Sequence, residues 1–162
     1  MFSENMIKGG LMKSLLVFIL LLPFGLNAKT LCNFMEKNNM KIPVGASFAN
    51  VGMTEEKFNE ILDRVEQTYS GIVQAKGGTL QVERNWNDPE VNAYADQQGS
   101  IWSIHMFGGM ARHELMTNDG FAIIACHELG HHIGGFPRYS GQWASNEGQS
   151  DYWATLKCAH RI

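Results

Sequence analysis

Apolar positions change their period along the chain, and each change marks an element. Between residues 54 and 73, Phe58, Ile61, Leu62, Val65, Tyr69, Ile72 and Val73 recur every three or four residues, the spacing that lines one face of a helix. Acidic residues occupy its first turn, and Gly77-Gly78 stops it. Three strand-like runs follow, at 79–86, 91–95 and 100–107, separated by the turn-forming groups Asn87-Asp88-Pro89 and Gln97-Gln98-Gly99. Short connections of this kind predict a small, mostly antiparallel sheet. After Thr117 the helical period returns: Asn118 or Asp119 is placed to cap a helix through Phe121, Ile123, Ile124 and Leu129 that ends at Gly134-Gly135. Beyond a loop, Ser145 or Asn146 can cap a further helix reaching Lys157, with Tyr152, Trp153 and Leu156 as its apolar side.

The residues before 29 follow a different rule. Lys8 and Lys13 precede an uninterrupted apolar run at 15–22, continued by Phe24 and Leu26 and ending at Asn27-Ala28. A short basic stretch, an apolar centre well below the roughly 20 residues of a membrane span, and a small terminal residue make a secretory signal peptide. Residues 1–28 are therefore read as a removable leader and 29–162 as one domain. The mature chain is expected to be exported, periplasmic or secreted, with no stable membrane span once the leader is gone. At 162 residues, 44% of them hydrophobic, the chain suffices for one core, and a formal net charge of −3 without basic clusters excludes nucleic-acid binding. A peptide or an unfolded protein is the expected partner.

Export also bears on the cysteines. Of Cys32, Cys126 and Cys158, two can pair in an oxidising compartment and one is left over; the sequence does not choose the pair. Cys126, in an apolar stretch, reads as a small core residue. A metal-binding role for it is rejected, because successive helical residues point about 100° apart and the partner facing His127 is one turn on.

That partner is His131. The run His127-Glu128-Leu129-Gly130-His131 places two imidazoles at i and i+4 on one helix face, the separation at which both reach a single zinc ion. Glu128 projects beside them, where a carboxylate can take a proton from a water. A catalytic zinc takes three protein ligands and keeps a fourth position open. A third histidine six residues beyond His131 is ruled out, since Pro137 stands there. Glu147, on the following helix, is the third-ligand candidate, and Asp151, one turn further, can hydrogen-bond the outward nitrogen of His127.

These two motifs, the 127–131 run and Glu147-Gly148-Gln149-Ser150-Asp151, resemble those of the gluzincin metallopeptidases, most closely the M48 (HtpX-like) peptidases. Asn92-Ala93-Tyr94-Ala95 resembles that family's asparagine-alanine-aromatic-alanine strand, and residues 99–109 resemble the strand and turn that follow it. The resemblance spans roughly residues 85–157 and implies a zincin-like α+β fold in which the two helices converge on one Zn2+ per chain. It implies His127, His131 and Glu147 as metal ligands, Glu128 as the general base of peptide-bond hydrolysis, and extended substrate lying along Asn92, Ala93 and Tyr94. Arg138, Tyr139, Tyr152 and His160 are all candidates to stabilise the oxyanion. His105, His113, His132 and His160 otherwise read as structural or solvated. The chain departs from the family in lacking repeated membrane spans and in the short stretch after Asp151. That departure motivates a rival expectation: a zinc-stabilised peptide-binding protein that hydrolyses nothing.

Overall fold

The computed structural model describes residues 32–49 and 53–162; the leader assigned to residues 1–28 lies outside them. Helix α1 (Glu55–Ala75) begins where Thr54 accepts a hydrogen bond from the Lys57 amide, with Glu55 and Glu56 in the first turn complementing the helix dipole. It ends as Gly77 takes φ +88°, a conformation that only glycine adopts freely. Phe58, Ile61, Leu62, Val65, Tyr69 and Val73 are its buried stripe, as their spacing predicts, and Ile72 packs at the margin of the core.

Four strands form one sheet in the order β1 (Cys32–Asn33), β3 (Ala93–Gln98), β4 (Ile101–Phe107), β2 (Thr79–Asn85). Pairings β1 with β3 and β3 with β4 are antiparallel, but β2 and β4 run parallel, so the sheet is mixed where mostly antiparallel pairing was expected. The reason lies in the connection from β2 to β3. It carries the chain past the neighbouring slot, and β4 returns by a tight turn at Gly99 to fill it. The ends of β2 and β4 are held together by close backbone approach. A Cβ on Gly108 would stand 1.8 Å from the Trp86 carbonyl oxygen, and one on Gly109 2.0 Å from that of Pro89. β3 also extends through Gln97 and Gln98, which were expected in the turn.

Ala93 and Ala95 of β3 pair with Met106 and Ile104 of β4, and all four are fully buried against the helices. The short helix α2 (Gly108–Ala111) leads to α3 (Asn118–Ile133), followed by α4 (Glu147–Trp153) and a single π turn at Ala154–Cys158. Among the described residues the architecture is thus α+β, a small mixed four-stranded sheet with four helices. Among the described residues no helix is long and apolar enough to cross a membrane. Cys126 and Cys158 form a disulfide, leaving Cys32 as the free, buried thiol.

Candidate metal centre

Helix α3 is apolar nearly all round, which is the pattern of a helix buried on every side. Thr117, not Asn118 or Asp119, caps it: its hydroxyl accepts from the Gly120 amide at 2.9 Å, leaving Asn118 as the first helical residue and Asp119 in the first turn. The consequence of such burial is that His127, Glu128 and His131 are all carried into the interior.

The chain then has to return over α3. Gly134 ends the helix, and Gly135, at φ +91°, turns the chain. The loop closes on the helix end through Ser145, whose amide donates to the His131 carbonyl at 2.8 Å and whose hydroxyl donates to the Gly135 carbonyl at 2.8 Å. Asn146, one of the two expected caps, accepts from the Gln149 amide at 2.9 Å and starts α4. Helices α3 and α4 cross at Gly130, where an added Cβ would lie 3.1 Å from Ser150 backbone atoms. Glycine at the fourth position of the motif is therefore what lets the second helix come so close.

Together these constraints bring His127, His131 and Glu147 into one group whose ligand atoms all lie within 4.8 Å of one another. Glu147 Oε2 stands 3.0 Å from His127 Nε2 and 3.6 Å from His131 Nε2. A tetrahedral ion with bonds of roughly 2.0–2.1 Å sets its ligand atoms about 3.3 Å apart, which these spacings bracket. Each ring is oriented from behind. His131 Nδ1 lies 2.8 Å from the Ser145 carbonyl, which can only accept, so the proton sits on Nδ1 and Nε2 is a free lone pair. Ser150 Oγ lies 3.1 Å from the same nitrogen. His127 Nδ1 faces Asp151 Oδ1 at 2.8 Å, the role assigned to Asp151. Burial pushes the His131 pKa down and keeps that ring neutral, as a ligand must be.

Among the described residues, three buried atoms of this group and its neighbour have no hydrogen-bond partner: both carboxylate oxygens of Glu128 and Nε2 of His131. Unsatisfied buried polar atoms each cost about 1–3 kcal/mol, so their coincidence at one place suits a site that takes up a bound species. Burial, reinforced by the Glu147 carboxylate, raises the Glu128 pKa well above the ordinary carboxylate range. The group can hold a metal ion, and an N2O donor set of two buried imidazoles and one solvent-facing carboxylate, with orphaned atoms beside it, fits one.

Of the four oxyanion candidates, Tyr139 is the one bonded to the group: its hydroxyl donates to Glu147 Oε1 at 2.8 Å. Arg138 instead lies over the Phe136 ring, and Tyr152 and His160 are exposed. His132 is buried, stacked between Trp102 and Trp143, and His105 stacks on Tyr94. Asn92, Ala93 and Tyr94 lie where β3 passes the centre, but the outer edge of β3 carries β1. Two residues that the sequence did not place at this centre come from that segment, Phe34 and Cys32. The Phe34 ring meets His127 edge-on at 5.3 Å between centroids. Burial, with the nearby Glu147 and Glu128 carboxylates, pushes the Cys32 thiol up to about 12. A groove of about 740 Å³ separates this segment from Tyr139, Gln142 and Glu147. The chain matches no family model, no curated protein and no solved structure.

Proposed function

We propose that the chain is an exported zinc endopeptidase of the gluzincin kind, hydrolysing peptide bonds in extended or unfolded polypeptide. The observation that carries this reading is Glu128: a fully buried carboxylate with both oxygens unpartnered, one residue from His127 and within the influence of Glu147. A structural metal site has no use for such a group, whereas hydrolysis needs a base there. Zinc suits two neutral imidazoles and one carboxylate and, when bound, supplies Lewis acidity toward a carbonyl and toward water.

The chain's own residues do the rest. Asp151 and the Ser145 carbonyl hold the two imidazoles with their Nε2 lone pairs inward. Tyr139 holds Oε1 of Glu147, leaving Oε2 toward the histidines. A Glu128 oxygen takes the proton of the attacking water and afterwards gives it to the leaving amine, so the carboxylate ends as it began. The Tyr139 hydroxyl lines the groove beside the group and, on exchanging its bond to Glu147 Oε1, is the donor best placed for a developing oxyanion. The Cys126–Cys158 disulfide supports export, since such bonds persist in oxidising compartments.

The purified mature chain is expected to carry one zinc, to cleave unfolded polypeptide and to stop with chelator. Glu147→Ala should lose the metal. Glu128→Gln should retain it while turnover falls about 100- to 10,000-fold. Robust cleavage by Glu128→Gln would defeat the assigned base, and stoichiometric zinc without turnover on any peptide library would leave a peptide-binding protein.

A further inference from the structure

Strand β1 is two residues long, yet it closes the edge of the sheet nearest the metal centre. Cys32 pairs with Ala95 and Asn33 with Tyr94, antiparallel to β3, and the Phe34 amide continues the ladder to the Ala93 carbonyl at 2.9 Å. Where the ladder ends, the Asn92 side chain takes over. Its Oδ1 accepts from the Met35 amide at 3.0 Å, and its Nδ2 donates to Asn33 Oδ1 at 3.4 Å. Phe34 stands at the junction of two environments: edge-on to His127 on one side, and on the other lining an apolar hollow of about 190 Å³ with Met40, Val91, Met110, Met116 and Ile124. Residues 32–35 therefore follow the path that an extended peptide must take to add to β3 beside the metal group, main chain to main chain.

We propose that residues 32–35 are an internal occupant of the peptide-binding edge, and that an extended peptide with a large apolar side chain at the place of Phe34 binds by displacing them. The choice of side chain follows from the hollow, which is walled by methionine and aliphatic groups that adapt to aromatic or long aliphatic shapes, with His113 as the one polar group in the wall. Displacement is feasible because the segment is held by a two-residue ladder and a few further hydrogen bonds, and such short strands open locally without global unfolding. The inference rests on the peptidase reading only for which edge receives substrate.

Cys32 supplies a readout independent of hydrolysis, since the other two cysteines are bonded to each other and its own thiol is buried. The probe is a synthetic peptide of residues 32–37 with serine in place of cysteine, added in excess to the full mature chain, with and without zinc, while iodoacetamide labels Cys32. Labelling should accelerate about tenfold, equivalent to a ligand holding the open form by 1.4 kcal/mol. The same peptide with alanine in place of phenylalanine should do little. In the chain itself, Phe34→Ala should label faster without any peptide and lower the KM for unfolded substrate. Labelling unmoved by the probe, or a loss of turnover in Phe34→Ala with unchanged thiol access, would make the segment a fixed wall of the cleft and overturn the proposal. The two readings fail separately: accelerated labelling without hydrolysis sinks the peptidase and keeps the displacement, and hydrolysis with Cys32 closed throughout does the reverse.

Discussion

At the scale of single residues, the fate of a histidine here is decided by what its second nitrogen meets. His127 and His131 each have Nδ1 held by an acceptor and Nε2 turned toward Glu147. His132, the next residue, has Nε2 on the Ser103 carbonyl at 3.0 Å, an unpartnered Nδ1 and an indole on either face. Burial, helped by the neighbouring His131, therefore lowers its pKa from 6.5 to about 4, against the opposing pull of Ser103 and Asp96. In this window the unfolded chain binds a proton that the folded chain refuses. Stability from His132 is thus fully present above pH 6.5 and is lost as pH falls toward 4, by about 3 kcal/mol at most. Replacing it isolates the effect. Metal-free His132→Phe should lose about 1 kcal/mol at neutral pH with its hydrogen bond, yet fall less steeply on acidification. Urea unfolding of both chains at neutral pH and near the lower end of the window checks this; parallel pH curves would place the titration elsewhere. Which histidine would be which was legible in the sequence, because i and i+4 fix the face and His132 is off it. The Trp102 and Trp143 partners were not, since nothing local announces a stack formed across the fold.

Among elements, α3 and α4 set the centre, and α4 is the weaker partner. Seven residues are too few for a helix to stand alone, so its position is imposed from both ends: by the Asn146 cap and the Ser145 contacts with α3 before it, and by the Cys126–Cys158 disulfide after it. Cys126 immediately precedes His127 in α3, so the disulfide ties the helix that carries both imidazoles to the turn that continues α4. The sequence displayed both helices, their caps to within a residue or two, and the Glu147 spacing. It left the pairing of cysteines open, because a disulfide follows distance in space, and Cys126 looked like any small apolar residue of a buried helix. Removing the bond as Cys126→Ala with Cys158→Ala opens a loop of sequence separation 32, and the chain-entropy estimate for such a loop is about 3–4 kcal/mol. That loss should appear as a lowered Tm, and zinc should be retained less well on dialysis, since Glu147 and Asp151 ride on the loosened helix. Full metal retention at an unchanged Tm would show that the loop and cap alone position α4.

For the molecule as a whole, the sheet was legible as three strands and illegible as a topology. Alternating apolar positions tell which face of a strand is buried, not which strand lies beside it, so parallel pairing of β2 with β4 could not be read. A two-residue strand such as β1 has no period at all. What fixes both is a long-range frame around Arg112, whose buried guanidinium donates to the carbonyls of Ile42, Trp86 and Asp88 and lies over the Trp86 ring. Trp86 and Asp88 belong to the connection that carries the chain from β2 to β3. Ile42 belongs to the leg that leads from β1, and its amide also binds the Pro89 carbonyl at 2.8 Å. One side chain thus anchors both the crossover and the base of the segment whose tip, residues 32–35, covers the β3 edge. Arg112→Met keeps the apolar stem but strands three carbonyls, and should lower unfolding stability by about 3–5 kcal/mol. Lysine has a compact head that cannot span three acceptors, so Arg112→Lys should recover only a minor part. If the leg depends on this anchor, Arg112→Met should also speed alkylation of Cys32 under conditions where the protein remains folded. A stability loss with Cys32 as protected as before would mean that the β1 pairing and the Asn92 contacts hold the segment unaided.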